Sequence, residues 1–493
     1  MSPNHVIPPH FGALSPIAER VRQVGSLTHD FGANGLVLGV QAELLVRRPH
    51  LERSKELRDA LKHVADHCGN LAEIARAARP VRDCLVTDPG VPRGPWQQVD
   101  ADYEPQPDGP LSQLELWRLK DDSRNGLDES RRLRRLVADE RVQTSGGAEM
   151  LLPAVAPNHA GILSPHAGGC PATPPQPAPE PTSPFVEPPA SGPAVKVTIF
   201  DSGYIYVAPH SHRELDKRVT VVRGQSLTGA NPPDWKLDEP DGLYTDDSGR
   251  LDGISGHGTF IAGLIANIAP DARLEMVGLR NQEVEIGSLN AAAQLGLFHT
   301  ELAIALAMLR RGRTDVIQCG FAFPTLDDYP SLPFAAVLEE LRHADAPHGG
   351  HVAVVAPAGN EQSRQRYWPA ALPDVVGVAS TNRRGNARAW FSNWGEWCDC
   401  CIRGEYVLST FVDWKGPVEG EPLTEEHFQG WAHWDGTSFA APKVSAAIAR
   451  RIAADKDLLP TDAWKQVRSA AVESVTDFTL SPEHGVPLPR IAI

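Results

Sequence analysis

Apolar residues are concentrated in short runs in the second half of the chain, and these runs predict buried strands. The run over 195–200 predicts a strand that ends at Asp201, and the run over 351–359 predicts a strand that ends at Asn360. The residues over 439–455 are largely apolar and predict a single helix. Each of the two strands is therefore expected to end at a polar side chain.

Helical runs alternate with these strand-like runs, as over 300–311. Such alternation predicts a parallel sheet covered by helices on both faces, which is a three-layer α/β domain. We assign this domain to residues 195–475 and regard residues 476–493 as a C-terminal tail. Functional side chains of such domains gather at the carboxyl ends of the strands.

The first 160 residues predict a separate, small α+β domain. Apolar residues at helical spacing over 57–74 predict a helix that Pro80 stops. Strands are expected over 96–103 and 114–119, and an arginine-rich helix over 130–138.

A proline-dense segment over 161–194 separates the two predicted domains. Such a composition cannot build an apolar core and is typical of a semi-rigid, extended linker. We therefore expect a spacer here, and we consider it a candidate site of proteolytic processing.

The charge balance restricts the partners of the protein. There are 47 basic and 62 acidic residues, which gives a formal net charge of -15. This excess of negative charge argues against nucleic acid or an anionic membrane as the main partner. The acidic segment over 234–252 predicts a solvated loop, with a calcium site as the alternative, because clustered carboxylates suit hard cations. No other cofactor is expected.

Seven cysteines form an odd set without a disulfide spacing. The cluster from Cys398 to Cys401 favours a strand with buried thiols over the alternative of a metal site. The first 15 residues lack the basic and apolar regions of a secretory signal, and the longest apolar run, 302–309, is too short to span a bilayer. These features predict a cytoplasmic protein without membrane attachment.

Three short motifs carry the candidate chemistry. Ser438 follows Gly436-Thr437 at the start of the predicted helix, and His257 lies in Ser255-Gly256-His257-Gly258 before another apolar helix. Asp201 is followed by Ser-Gly, which predicts a tight turn. Each residue alone has a plain structural explanation as a turn former, a loop residue or a helix cap, and Asn360 alone could form an Asx turn.

Taken together, the motifs resemble the subtilisin-like serine peptidases over roughly residues 195–475. The chain order Asp, His, Ser is the order of that family. The resemblance implies that Asp201 orients the imidazole, that His257 is the general base and then the general acid, and that Ser438 is the nucleophile. It also implies that the side-chain amide of Asn360 donates to the oxyanion, beside the backbone amide of Ser438.

The same resemblance assigns the walls of the substrate cleft. The family usually has glycine where this chain has Phe323, so we expect a narrowed cleft and cannot transfer the substrate preference. Pro357 removes an amide from the opposite wall. The residues assigned to substrate binding are Gly320, Phe321, Ala322, Phe323, Ala358 and Gly359.

The predicted function is that of a serine endopeptidase that cleaves protein or peptide substrates through an acyl-enzyme on Ser438. General-base catalysis needs a neutral imidazole, so we expect activity to fall in acid. Two alternatives remain: a catalytically idle subtilisin-like fold that serves as a binding module, and a hydrolase that acts on esters. The resemblance also implies that residues 1–160 are a regulatory or propeptide-like domain that restrains the peptidase or assists its folding. The alternative is an adaptor domain that recruits a substrate or a regulatory partner.

Overall fold

The structure is a computed structural model. It describes a subset of the chain that includes both predicted domains. The described residues are Pro105 and the ranges 27–32, 35–77, 85–86, 108–121, 124–162, 171–181, 195–205, 212–222, 225–226, 236–237, 249–279, 297–309, 314–343, 350–418, 424–455, 457–471, 473–475 and 488–491.

A ten-stranded sheet forms the centre of the C-terminal half. Its order is β22-β23-β19-β18-β17-β16-β10-β14-β11-β4, and its inner strands are parallel while β4 and β22 are antiparallel to their neighbours. The strands are β4 Leu85–Val86, β10 Val195–Asp201, β11 Val219–Val222, β14 Ala272–Gly278, β16 Val316–Cys319, β17 Ala353–Pro357, β18 Val375–Thr381, β19 Cys400–Arg403, β22 Glu473–Val475 and β23 Leu488–Arg490.

Helices cover both faces of this sheet. On one face lie α6 (His257–Ile268) and α9 (Ala441–Ala454), which share an apolar cluster with Val197 and Ile199 of β10. On the other face lie α7 (Glu301–Leu309) and α8 (Leu332–Glu340), which share a cluster with Phe200. Apolar side chains point to both faces because both are covered. The three-layer parallel-sheet architecture is thereby confirmed.

The remaining helices and strands flank this central domain. The helices are α1 Arg48–Arg53, α2 Lys55–Val64, α3 Leu71–Ala77, α4 Gly126–Arg134, α5 Arg213–Asp216 and α10 Pro460–Ser469. The strands are β1 Leu27–Gly32, β2 Gly35–Arg47, β3 Ala65–Asn70, β5 Leu114–Leu119, β6 Glu140–Gln143, β7 Glu149–Leu152, β8 Val155–Ile162, β9 Gln176–Pro177, β12 Gln225–Ser226, β13 Lys236–Leu237, β15 Leu297–Thr300, β20 Val407–Gly416 and β21 Glu426–Trp434.

Among the described residues before 163, β1, β2, β3, β5 and β8 form an antiparallel sheet with helices packed beside it, and we call this part of the protein the front unit. Its order is β15-β8-β2-β5-β3, and β1 pairs with β2. Strand β15 comes from the second half of the chain and pairs with β8, with Leu297 opposite Ile162. The two halves of the protein are therefore joined by backbone pairing as well as by packing.

The prediction of one continuous helix over 57–74 is wrong for residues 65–70. The chain forms α2 and α3 there, but β3 runs between them and pairs with β5. Gly69 has a φ of 138°, a conformation that side chains other than glycine's rarely adopt, so a continuous helix cannot pass this position. The strand expected over 114–119 is confirmed as β5. The arginine-rich helix begins earlier than expected, as α4.

Front unit and central domain share one apolar core. Leu45, Leu114 and Leu116 of the front unit belong to the same cluster as the buried residues of α7 and α8. Polar contacts lie at the rim, where Arg131 and Arg134 pair with Asp327. The front unit is thus packed against the two helices that cover one face of the central sheet.

Part of the segment expected to be a spacer is attached to the central domain. Strand β9 pairs with β21, which makes a three-stranded sheet with the hairpin β20–β21. In the expected tail, β23 adds to the central sheet beside β19. The strand expected over 96–103 and most of the acidic loop over 234–252, with its calcium alternative, lie outside the described residues. Among those described, no helix is both long and apolar enough to cross a bilayer.

Candidate active site

Three side chains from distant parts of the sequence form one hydrogen-bonded chain. The Nδ1 atom of His257 lies 2.8 and 3.0 Å from the two carboxylate oxygens of Asp201, and its Nε2 atom lies 3.0 Å from Oγ of Ser438. All three side chains are buried, with no exposed surface. A carboxylate beside Nδ1 fixes the tautomer with the proton on Nδ1, which leaves Nε2 to accept a proton from the serine.

The carboxylate of Asp201 is placed by the end of β10 and by two close glycine contacts. The backbone N–H of Ser202 donates to Oδ1 at 2.7 Å. A Cβ atom on Gly320 would lie 1.6 Å from Oδ2 of Asp201, and one on Gly258 would lie 2.0 Å from the carbonyl oxygen of Gly203. The carboxylate therefore occupies a space that exists only because these positions are glycine.

His257 is the first residue of α6, and the turn before it depends on Gly256. That glycine has a φ of 80°, which strongly favours glycine, and it allows the helix to start directly at the histidine. The imidazole ring contacts Trp434 edge-on, with centroids 5.6 Å apart, and Phe439 at 5.1 Å. These aromatic rings exclude water from one side of the His257–Ser438 hydrogen bond.

Ser438 lies in a single 3₁₀ turn, Thr437–Phe439, immediately before α9. The positive end of the α9 dipole therefore points toward the nucleophile, which favours negative charge close to this hydroxyl. The helix expected over 439–455 is confirmed in type, beginning at Ala441.

Asn360 follows β17 and is held by Thr437, the residue before the nucleophile. Its Oδ1 atom accepts from both the backbone N–H and the hydroxyl of Thr437, each at 2.9 Å. The hydroxyl oxygen of Thr437 accepts in turn from the backbone N–H of Gly359 at 3.0 Å. Because the oxygen end of the amide faces Thr437, its NH₂ end is turned away from that residue. Sequence reasoning missed Thr437, although it lies inside the serine motif.

A second asparagine braces the same loop. Oδ1 of Asn393 accepts from the backbone N–H groups of Glu361 and Ser363, and its Nδ2 donates to the carbonyl of Ala358. Burial raises the pKa of the Glu361 carboxyl to about 7. A carboxyl group that titrates near neutrality thus lies one residue from Asn360. No pattern in the sequence singled out Asn393 or Glu361.

The residues assigned to one cleft wall, Gly320 to Phe323, follow β16 and pack beside α8. Phe321 and Phe323 are both buried, stack on each other at 6.1 Å and contact Phe334 of α8. Phe323 also pairs through its backbone with Trp368. The two rings belong to the apolar core beneath the wall, because α8 packs there. The narrowing expected from the size of Phe323 therefore has no support from its position.

A buried lysine lies one turn beyond the nucleophile. The ammonium of Lys443 on α9 donates to the carbonyl of Arg403 at 2.7 Å, which links the helix to the end of β19. Burial, with a smaller contribution from the charge of Arg403, lowers the pKa of Lys443 to about 7. On the same helix, the hydroxyl of Ser445 donates to Gln318 of β16 at 2.6 Å. These bonds fix α9, and hence Ser438, on the sheet.

The cysteine cluster contributes thiols to the core. Cys398, Cys400 and Cys401 are buried, and β19 begins at Cys400. Burial raises the pKa of each of these thiols, so none of them is a thiolate at neutral pH. The expectation of a strand with buried thiols is confirmed for Cys400 and Cys401.

Comparisons with known proteins agree with this geometry. A model described as "Peptidase_S8: Subtilase family" matches residues 192–486, which is more than half of the chain. An extracellular basic protease of Dichelobacter nodosus is 31% identical over 135 residues. That match covers 27% of this chain and 21% of the protease, so the chain spans only about a fifth of that relative's length.

Solved structures with a similar fold have low sequence identity. A cold adapted subtilisin-like serine proteinase gives a TM-score of 0.38 at 18% identity, and the match covers 61% of this chain and 89% of that one. Fervidolysin from Fervidobacterium pennivorans, described as a keratinolytic enzyme related to subtilisin, gives a TM-score of 0.48 at 15% identity. That match covers 88% of this chain and 58% of the fervidolysin chain.

Proposed function

Since the chain belongs to the subtilase family, we propose that it is a serine endopeptidase that cleaves protein or peptide substrates. The observation that carries this proposal is the continuous hydrogen-bonded chain from Asp201 through His257 to Ser438. A carboxylate, an imidazole and a hydroxyl in this order are the parts of a serine nucleophile with its base.

In the proposed reaction, Oγ of Ser438 attacks the carbonyl carbon of the scissile bond while Nε2 of His257 removes the hydroxyl proton. The negative charge of Asp201 stabilises the imidazolium that forms. The same Nε2 then gives its proton to the leaving amine, and an acyl-enzyme remains on Ser438. Water repeats the sequence to release the acid and to restore the serine. The hydrogen bonds of His257 to Asp201 and to Ser438 support the first of these proton transfers.

Asn360 is proposed to stabilise the oxyanion of the tetrahedral intermediate. Thr437 holds the oxygen end of the amide, which turns the NH₂ end away from Thr437, as a donor to a substrate oxygen beside Ser438 would require. Preorganised donors of this kind stabilise the transition state more than the ground state.

A fluorophosphonate probe tests the proposed function directly. We expect the probe to label the wild-type chain and not the Ser438→Ala chain, because it reacts only with an activated serine. Ser469→Ala is the matched control, since this exposed serine lies on α10, outside the site. Failure of the wild type to react, in preparations both with and without the front unit, would support the idle fold as a binding module.

Replacing Asn360 by alanine is expected to lower kcat by a factor on the order of 10²–10³ and to leave KM nearly unchanged. The reason is that the oxyanion exists only in the transition state and the intermediates. Steady-state kinetics on an internally quenched peptide measure both constants. A rise in KM at constant kcat would instead mean that Asn360 serves to bind the substrate.

The second proposal concerns the front unit: we propose that it restrains the peptidase until the connection between the two is cut and the front unit separates. Buried contacts at the start of α7 support it. The Nδ1 atom of His159 lies 2.9 Å from Oε1 of Glu301, and the backbone N–H of Leu326 donates to Nε2 of the same ring. The backbone N–H of Leu302 donates to Oδ1 of Asn158.

Self-processing is tested by the size of the purified protein. We expect the wild type to yield two fragments, with a cut between the front unit and β10, and the Ser438→Ala chain to stay intact. Gel electrophoresis and N-terminal sequencing provide the measurement. A Ser438→Ala chain that is cut at the same place after purification would exclude the protein's own active site as the cause.

A cytoplasmic location is likewise proposed and rests on free thiols. Cys68, Cys319, Cys398, Cys400 and Cys401 are all unpaired with one another among the described residues, as is usual in a reducing compartment. Since the Dichelobacter nodosus relative is described as extracellular, cell fractionation is needed to decide between the two locations.

A further inference from the structure

Residues 171–178, which we call the strap, lie against the chain that leads into the nucleophile. The backbone N–H of Ala172 donates to the carbonyl of Asp435 at 2.9 Å, and Asp435 precedes Ser438 by three residues. The hydroxyl of Thr173 donates to Oδ2 of Asp435 at 3.2 Å, and the indole N–H of Trp434 donates to the carbonyl of Thr173 at 2.6 Å. Three hydrogen bonds thus hold two residues of the strap beside the site.

Further along, the strap becomes a strand on the edge of β21. Gln176 lies opposite His433 and Pro177 opposite Ala432, in antiparallel register. The backbone N–H of Ala178 then donates to the carbonyl of Trp431 at 3.2 Å. The pairing has the form of a peptide that adds a strand to an exposed sheet edge.

The burial of the strap's side chains indicates which side chains can bind along this edge. Ala172 and Ala178 are buried, at 9% and 8% exposure, and Ala172 packs with Ala389 and Phe391. Gln176 and Pro177 between them are exposed. Pro171 and Pro175 are also buried. The two positions that donate N–H groups therefore hold small buried side chains, and the other two buried positions hold proline.

Proline is compatible with the strap positions that donate none of the hydrogen bonds described above. Four of the eight strap residues are proline, and proline favours an extended backbone while supplying no N–H group. Since the bonds described above use the N–H groups of Ala172 and Ala178, prolines between these two residues do not remove them.

The position of this edge relative to His257 indicates which half of a substrate would bind there. Trp434, which bonds to the strap, also contacts the imidazole ring of His257. That imidazole is the group proposed to give its proton to the leaving amine, so the leaving half of the substrate has to lie on this side of Ser438. The cleft-wall residues Gly320 to Phe323 belong instead to the segment after β16, beside α8.

We propose that the edge formed by Trp431 to Asp435 is the binding site for the leaving half of the substrate. It takes an extended peptide with small residues at the two positions that donate N–H groups and with proline tolerated between them. The strap is the protein's own occupant of this site and competes with substrates for it. The inference that the bound peptide is a substrate rests on the proposed function. Binding of a peptide at this edge does not itself depend on catalysis.

The test measures binding to a full-length chain that carries Ser438→Ala, so that no cleavage occurs. The probe is a fluorescein-labelled peptide with the sequence of residues 171–180, followed by anisotropy. Adding Ala172→Pro and Ala178→Pro removes two N–H donors from the strap, and we expect the peptide to bind this chain about tenfold more tightly or better. The attached strap competes with the peptide at an effective concentration of about 1 mM. Releasing the strap from the edge removes this competition.

Two controls are matched to this change. Glu180→Pro introduces proline at an exposed position beyond the last described bond of the strap, and we expect no change in binding. A peptide with proline at the positions of both alanines cannot donate either N–H, and we expect it not to bind. The single variant Ala172→Pro should give an intermediate gain, and it serves if the double variant is unstable.

Equal binding to the parent and to the strap variants, including no binding to either, would overturn the inference. So would equal binding of the proline-substituted peptide. The result separates the two proposals, because a chain that does not react with the fluorophosphonate can still bind the peptide. Conversely, a reactive chain with unchanged peptide binding refutes the substrate site alone.

Discussion

Replacing Ser438 by alanine and replacing His257 by alanine are each expected to lower kcat/KM by a similar factor, on the order of 10⁴ or more, and the double replacement is expected to lower it no further. The reason is the 3.0 Å hydrogen bond between His257 and Ser438. A serine without its base and a base without its serine fail at the same step, so the second loss costs nothing more.

The measurement is kcat/KM for an internally quenched peptide, made on the wild type, the two single variants and the double variant. Ser469→Ala and His427→Ala provide controls of the same residue types at exposed positions, and we expect both to retain activity. Losses that multiply in the double variant would show that the two side chains act independently, which would contradict a shared proton transfer.

Replacing Gly320 by alanine is expected to lower kcat by a factor on the order of 10²–10⁴, although the change adds a single methyl group. That methyl would lie 1.6 Å from Oδ2 and 2.6 Å from Cγ of Asp201. Carbon and oxygen atoms cannot approach so closely, so the carboxylate has to move. Its hydrogen bonds to Nδ1 of His257, at 2.8 and 3.0 Å, are then lost or misaligned.

A double-mutant cycle separates this effect from general damage to the fold. In a chain that already carries Asp201→Ala, Gly320→Ala should cause little further loss, because the clashing carboxylate is absent. Thermal unfolding of all four chains gives the stability. A large additional loss of kcat in the Asp201→Ala background would show that Gly320 acts through something other than Asp201.

The central domain was predictable from sequence because its elements are long, apolar and periodic. Strand β10 is mostly apolar up to Asp201, with only Lys196 and Thr198 as polar residues, and this pattern is typical of a strand buried on both faces. The helix after Ser438 likewise has many buried residues. In such segments the local pattern and the tertiary environment favour the same element.

The prediction failed where pairing between distant segments decided the structure. Residues 65–70 continue a helical pattern, but they pair with β5 and so form a strand. Residues 176–177 lie in a proline-rich stretch, yet they pair with β21. Neither partner can be identified from the local sequence, because pairing energy depends on a strand that is distant in the chain.

The same limit applies to the candidate site. The motifs identified the candidate catalytic residues, and the structure brings Asp201, His257 and Ser438 within hydrogen-bonding distance. The supporting residues carried no recognisable pattern, because a threonine that bonds to Asn360 or a glycine beside a carboxylate looks ordinary in sequence. Only the assembled packing gives Thr437 and Gly320 their importance.

The core common to the front unit and helices α7 and α8 makes scission and separation two different events. A cut in the connecting segment breaks one covalent bond, but it leaves the buried leucines and the pairing of β8 with β15 intact. Exposing that apolar surface to water is unfavourable, so the two fragments are expected to stay together as a complex. The lifetime of that complex, more than the moment of cutting, would then set when the enzyme becomes available.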